Sequence, residues 1–218
     1  MTRPSPVSRP GLEALLAYAV FSGLSLLSRF VAPVFLLVVV SGIAIPLLWA
    51  RRTRDWAAIG FTRRNVRPAL AWGLAAGAVG AAVTVLMARI DPFPEPVLPG
   101  AQLIVGIPLW LLIMSPFQEF FFRGWLQPRL VAVLGVWKGI VVTTVLFAVW
   151  HFLAPFQNAP GALLDLTTVI SVLTMLGMGL AFGAIFQRTG NIVAPWLGHA
   201  LMGIALVAVG GMTFLQYS

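Results

Sequence analysis

The sequence predicts an all-α polytopic membrane protein, a bundle of about seven transmembrane helices with an eighth, half-inserted or re-entrant segment as the open alternative. Three observations predict it. Of the 218 residues, 60% are hydrophobic and 9% charged, against about 25% charged in a soluble domain, so there is too little polar surface to cover a water-soluble globule. Apolar stretches of near-membrane length follow one another along the chain. Six arginines (Arg51, Arg52, Arg54, Arg63, Arg64 and Arg67) fall in a single loop between two such stretches, as the positive-inside rule expects of a membrane protein.

The first segment covers about residues 12–27, just short of the usual length of a spanning helix. Arg3 and Arg9 ahead of it give it the look of a signal peptide. No small-x-small cleavage site follows cleanly and a second apolar stretch begins at once, so the helix is read as retained. Arg29 and Pro33 separate it from the second segment. Segments two to seven cover about residues 34–50, 68–90, 103–126, 134–153, 166–186 and 192–214, each bounded by charged, Pro or Gly residues. With no linker, low-complexity tract or repeat, the chain reads as one membrane domain over 1–218, with N-terminal helices in 1–100 and a core in 101–218.

A cytoplasmic N-terminus puts Arg3, Arg9, the six loop arginines, Arg129, Lys138 and Arg188 inside, and only Arg29 and Arg89 outside with Asp91, Glu95 and Asp165. That distribution satisfies the loop-charge rule and explains the net charge of +8 without nucleic acid as a partner. Trp49, Trp56, Trp72, Trp125 and Trp137 are expected near the inner interface, where amphipathic rings settle. Gly73 with Gly77, and Gly179 with Gly183, are small-xxx-small faces that read as helix packing. The chain has no cysteine, which excludes disulfides and thiolate chemistry.

Few ionisable groups enter the apolar segments. Ser115-Pro116-Phe117-Gln118-Glu119-Phe120-Phe121-Phe122-Arg123-Gly124 puts a carboxylate and a guanidinium at i and i+4, on one helix face. Each costs several kcal/mol in lipid unless paired or wet, which marks them as functional candidates. His151 and His199, the only histidines, also lie in apolar segments. A glutamate and a histidine around one water make a general-base pair. A second histidine donates to a developing oxyanion, and the arginine holds the carboxylate. The same two histidines and glutamate could ligate zinc with an open fourth position, but they sit on three different segments and form no local metal motif. No cofactor is therefore expected. Taken singly, the residues also have plain structural readings: a buried ion pair fixing helices, an interfacial histidine, a polar residue between helices. Phe120, Phe121 and Phe122 read as core or lipid-facing bulk.

Gln118-Glu119-x-x-x-Arg123-Gly124, then Phe147-x-x-x-His151, then Thr189-Gly190-Asn191-Ile192 and Pro195 before His199 and Gly203, in this order, resemble the motifs of the CPBP family. That family contains the CAAX-processing proteases of the Rce1 type and the bacteriocin-processing, or Abi, proteins. The resemblance covers about residues 116–203. It implies a glutamic-protease-like helical core in 101–218 and intramembrane endoproteolysis, cleaving a peptide or protein at the membrane by activated water without a covalent intermediate. It also suggests a bacterial cytoplasmic membrane as the location. In the family, Glu-Glu-x-x-x-Arg and the second motif's histidine are thought to activate water, and His-x-x-x-Asn to stabilise the oxyanion. Carried over, His151 polarises water, His199 donates to the oxyanion, and Glu119 and Arg123 match the second glutamate and the arginine.

Two positions depart: Gln118 stands for the first glutamate and Gly203 for the asparagine. Gln118 cannot take a proton, and Gly203 has no side-chain donor. Either Glu119 turns in as base, or a water held by Gln118 and His151 suffices. The competing readings are a silenced, CPBP-like membrane binding or scaffold protein, and a small transporter with Glu119 and Arg123 in its path. A depth problem also arises: with segment four ending near 126 and segment five starting near 134, Glu119 and His151 fall at different levels, unless segment five tilts or begins deeper, or residues 125–135 dip back into the membrane.

Overall fold

The computed structural model describes residues 9–90, 99–155 and 166–212. Among the described residues are seven helices and no strand: α1 (Arg9–Leu27), α2 (Val34–Thr53), α3 (Val66–Ile90), α4 (Gly100–Leu134), α5 (Val136–Leu153), α6 (Leu166–Thr189) and α7 (Val193–Ala208). The first six are long and apolar enough to cross a membrane, and α7 is a shorter apolar helix. This is the predicted all-α polytopic bundle. Arg3, Asp91, Glu95, Asp165 and Phe214 lie outside the described residues.

The fourth helix is longer than the sequence predicts, running 35 residues. Two of its stretches, Trp110–Met114 and Phe120–Leu126, are π-helical. A proline soon follows each of them, Pro116 and Pro128. A proline lacks an N–H, and its ring collides with the carbonyl four residues back. Those carbonyls belong to Leu112 and Gly124, inside the π stretches, where the wider turn makes room. The short α-helical piece Ser115–Glu119 between them carries the Gln118–Glu119 pair.

Helix α4 continues past 126 to Leu134 and then turns on Gly135, whose φ of +81° a residue with a Cβ rarely adopts. Beyond the turn, α5 lies against the end of α4: a Cβ on Gly139 would come within 2.6 Å of the Val131 backbone. This hairpin removes the expected depth problem. Glu119 precedes Gly135 by as many residues as His151 follows it, so both stand roughly 24 Å above the turn at ~1.5 Å per residue. The error lay in ending segment four near 126. Residues 127–134 are one more stretch of helix.

Lipid tails are as apolar as leucine, so close packing and polar contacts hold such a bundle. The small-residue faces supply that packing. A Cβ on Gly73 would meet the Ala194 carbonyl oxygen at 2.7 Å and one on Gly77 the Leu201 side chain at 2.7 Å, so α3 lies directly on α7. Gly179 and Gly183 face Thr144 and Ile140 of α5 in the same way. On the other side, the Phe21 ring of α1 stacks on Phe121 with centroids 4.0 Å apart, and Trp150 Nε1–H donates to Ser25 Oγ at 2.6 Å. Phe120, Phe121 and Phe122 are all buried. Trp125, expected at the interface, is buried as well; it stacks on Phe121 and lies under the Arg129 guanidinium, 3.9 Å from its ring centre.

The loop arginines, Arg129, Lys138 and Arg188 belong to the rim where α2, α4 and α6 end and α1, α3, α5 and α7 begin. Arg29 and Arg89 stand at the opposite rim, where the Arg29 guanidinium donates to the Phe152 carbonyl at 2.9 Å. Asn191, fully buried, ties the arginine loop to the start of α7. Its Nδ2 donates to the carbonyls of Thr62 (3.0 Å) and Arg64 (2.7 Å), and its Oδ1 accepts from the Val193 N–H (3.0 Å). Asn191→Ala is expected to destabilise the protein by about 2–3 kcal/mol, since it leaves buried backbone groups bare. Thermal unfolding in detergent micelles checks this, and an unchanged transition would contradict it.

Candidate active site

The depth that the hairpin sets is where the polar side chains converge. His199, one turn and a half into α7, donates from Nδ1 to Glu119 Oε1 at 2.6 Å. Arg123 Nη1 donates to the same oxygen at 3.3 Å. Glu119 and Arg123 are both fully buried and His199 nearly so. The guanidinium also lies over the Phe147 ring, 4.1 Å from its centre, a cation–π contact strengthened where water is absent. Pairing and this contact offset the several kcal/mol that a bare ion costs in the bilayer. Both bonds fall on Oε1, while Glu119 Oε2 has no hydrogen-bond partner among the described residues.

Phe147 joins the two histidines. Its ring centre is 4.3 Å from that of His151 and 6.0 Å from that of His199. His151 Nδ1 lies 2.9 Å from the Phe147 carbonyl. A carbonyl only accepts, so Nδ1 carries the hydrogen and Nε2 is the acceptor nitrogen of the neutral ring. Gln118, buried beside Glu119, donates from Nε2 to the Met114 carbonyl at 3.0 Å. Its Oε1 has no hydrogen-bond partner among the described residues.

Gln118, His151 and His199 all line one cavity of about 280 Å³. Its walls come from α3, α4, α5, α6 and α7, with Gly211 and Met212 beyond the end of α7. Glu119 and Arg123 are not among its lining residues, so they stand behind His199 rather than in a path through the bundle. The five predicted site residues thus gather in two layers: Gln118, His151 and His199 face the cavity, and Glu119 and Arg123 back His199.

Sequence reasoning missed the rest of the lining. The chain has seven methionines, and all but Met1 (Met87, Met114, Met175, Met178, Met202 and Met212) line the cavity. They sit on four helices and, for Met212, the stretch after α7, so no local spacing reveals them. Trp110 also lines it. In a regular helix Trp110 and Gln118 would point about 80° apart; the π stretch between them absorbs a residue and brings them to within roughly 20°. For zinc, His151, His199 and Glu119 would have to converge on one ion. Glu119 Oε1 instead accepts from His199 and Arg123, and among the described residues no group of three His, Cys, Asp or Glu side chains is arranged to hold a metal.

With the geometry in place, comparison with known families adds the class. The family model described as Type II CAAX prenyl endopeptidase Rce1-like matches residues 100–205. This stretch spans α4 to α7 and carries all five residues of the site. Residues 100–205 are similar to that family, and the six long apolar helices make the chain an integral membrane protein. Comparisons with curated proteins and with solved structures gave no match.

Proposed function

We propose that this chain is an active intramembrane endopeptidase that hydrolyses a peptide or protein segment reaching the cavity from the bilayer. The observation that carries the reading is the two-layer site: two imidazoles and an unsatisfied Gln118 oxygen on one cavity wall, with Glu119 bonded to the back of one imidazole. A water accepted by Gln118 Oε1 loses its proton to His151 Nε2, the acceptor nitrogen, as its oxygen attacks the scissile carbonyl carbon. His199, with a hydrogen on each ring nitrogen, rests its Nδ1–H on the Glu119 carboxylate and donates its Nε2–H to the oxyanion. His151 then passes its proton to the amide nitrogen as the C–N bond breaks. Glu119 positions His199 and balances its charge, and Arg123 holds Glu119 in place.

Six methionines make the wall adaptable, because unbranched thioether chains repack around different shapes. That suits varied apolar side chains of a substrate. With the arginine rim and N-terminus cytoplasmic, in what we read as a bacterial cytoplasmic membrane, the cavity extends toward the outer half of the bilayer. The test is cleavage of apolar peptides by the purified chain in liposomes, read by mass spectrometry. Wild type is expected to cleave, and His151→Ala to lose about 10²-fold or more in rate; unaltered cleavage by His151→Ala would refute its role as base.

One observation favours a second reading. The family's water-activating glutamate is replaced, at the cavity wall, by Gln118, which cannot accept a proton. A chain silenced in this way would keep the cavity for binding, as a membrane scaffold. In that case Gln118→Glu would create cleavage where wild type has none.

A further inference from the structure

Hydrolysis at this site builds charge on the carbonyl oxygen, and His199 supplies one donor to it. The residue one turn further along the same face of α7 is Gly203, which has no side chain to add a second. The space beside it is filled: a Cβ on Gly203 would fall within the indole of Trp110, against Cδ2, Cε2 and Cε3. The same indole lies beside the His199 ring, with centroids 5.6 Å apart. Trp110 is 5% exposed and lines the cavity. Its Nε1–H is buried without a hydrogen-bond partner among the described residues.

A bare buried donor is unusual and calls for a reason. Other indoles in this bundle do find partners: buried Trp150 donates to Ser25 Oγ and half-buried Trp196 to the Leu111 carbonyl. Trp125 Nε1 also lacks a partner, but Trp125 is not part of the cavity wall. Among the cavity's other polar groups, Gln118 Nε2 is spent on Met114 and the Thr84 hydroxyl on the Gly80 carbonyl, while the Ser171 and Thr174 hydroxyls stand on α6. The π stretch that begins at Trp110 is what turns this residue toward the site.

We infer that Trp110 Nε1–H is the second oxyanion donor, working with His199, and that Gly203 is glycine because the indole occupies its side-chain space. The inference rests on the endopeptidase reading above. It assigns to α4 a donor that the sequence alone seats nowhere, and it makes Trp110 and Gly203 a matched pair.

The test replaces Trp110 by phenylalanine and, separately, by 3-benzothienylalanine, which keeps the indole's shape and exchanges the N–H for sulfur. Both are assayed with the apolar peptides in liposomes, in the wild-type and the Gln118→Glu chains. The expected result is a fall in kcat of about 10²–10³-fold in both variants, with KM and thermal unfolding of the benzothienyl protein unchanged. Gly203→Asn is expected to lower kcat, because its side chain displaces the indole. Full activity in the benzothienyl protein, with His199→Ala inactive, would overturn this inference and leave the endopeptidase reading standing. A gain in Gly203→Asn would overturn it likewise. No cleavage by either parent chain would overturn both.

Discussion

His199→Ala is expected to lower kcat by about 10²–10³-fold, the usual effect of removing one oxyanion donor, with little change in KM. The reason is geometric. His199 lines the cavity while its Nδ1–H is held by a buried carboxylate, so its position is fixed before substrate arrives. Preorganisation of this kind stabilises the transition state without reorganisation at the moment of reaction. Glu119→Gln tests the same link from behind. The amide has no charge to balance the His199 imidazolium, and a neutral ring that keeps its hydrogen on Nδ1, facing the amide oxygen, has none on Nε2 to donate. A loss of about 10²-fold or more is expected, again in kcat. Rate assays on peptides in liposomes check both, and a Glu119→Gln protein as active as wild type would remove Glu119 from the mechanism.

Arg123→Met is expected to destabilise the protein by about 3–5 kcal/mol, the cost of leaving one member of a buried ion pair without the other. Arg123 is fully buried, pairs with Glu119 and lies on Phe147. Methionine keeps much of its volume but neither its charge nor its donors. The double variant Glu119→Gln with Arg123→Met carries no unpaired charge and is expected to recover much of the stability while remaining inactive. Unfolding transitions in detergent, set beside rate assays, separate the two effects. A stable Arg123→Met protein would mean that Glu119 is satisfied by His199 alone.

Much of this site was legible in the residues themselves. In a chain so poor in charge, Glu119, Arg123, His151 and His199 stand out because lipid makes each expensive, and the structure brings them within reach of one another. Spacing predicted the Glu119–Arg123 contact, and the small-residue faces predicted which sides of α3 and α6 pack closely, though not against which helices. What the sequence concealed was registration. The helical periodicity of α4 is shifted twice by π stretches, so Trp110 could not be placed beside Gln118 by counting turns. The stretch 127–134 carries Pro128 and Arg129 and reads as a break, yet proline is tolerated where the preceding helix is already widened. That single misreading set Glu119 and His151 at different depths. The methionine wall was equally hidden, since its members are scattered over four helices and the stretch after α7.

The central claim is that this cavity hydrolyses peptide bonds with Gln118 in place. The most direct measurement is a map of new protein termini in membranes carrying wild type, Glu119→Gln, His199→Ala or Gln118→Glu. The account predicts termini in wild type that disappear in the Glu119 and His199 variants. Termini that appear only with Gln118→Glu, and never in wild type, would contradict it and identify a protease fold that now works by binding.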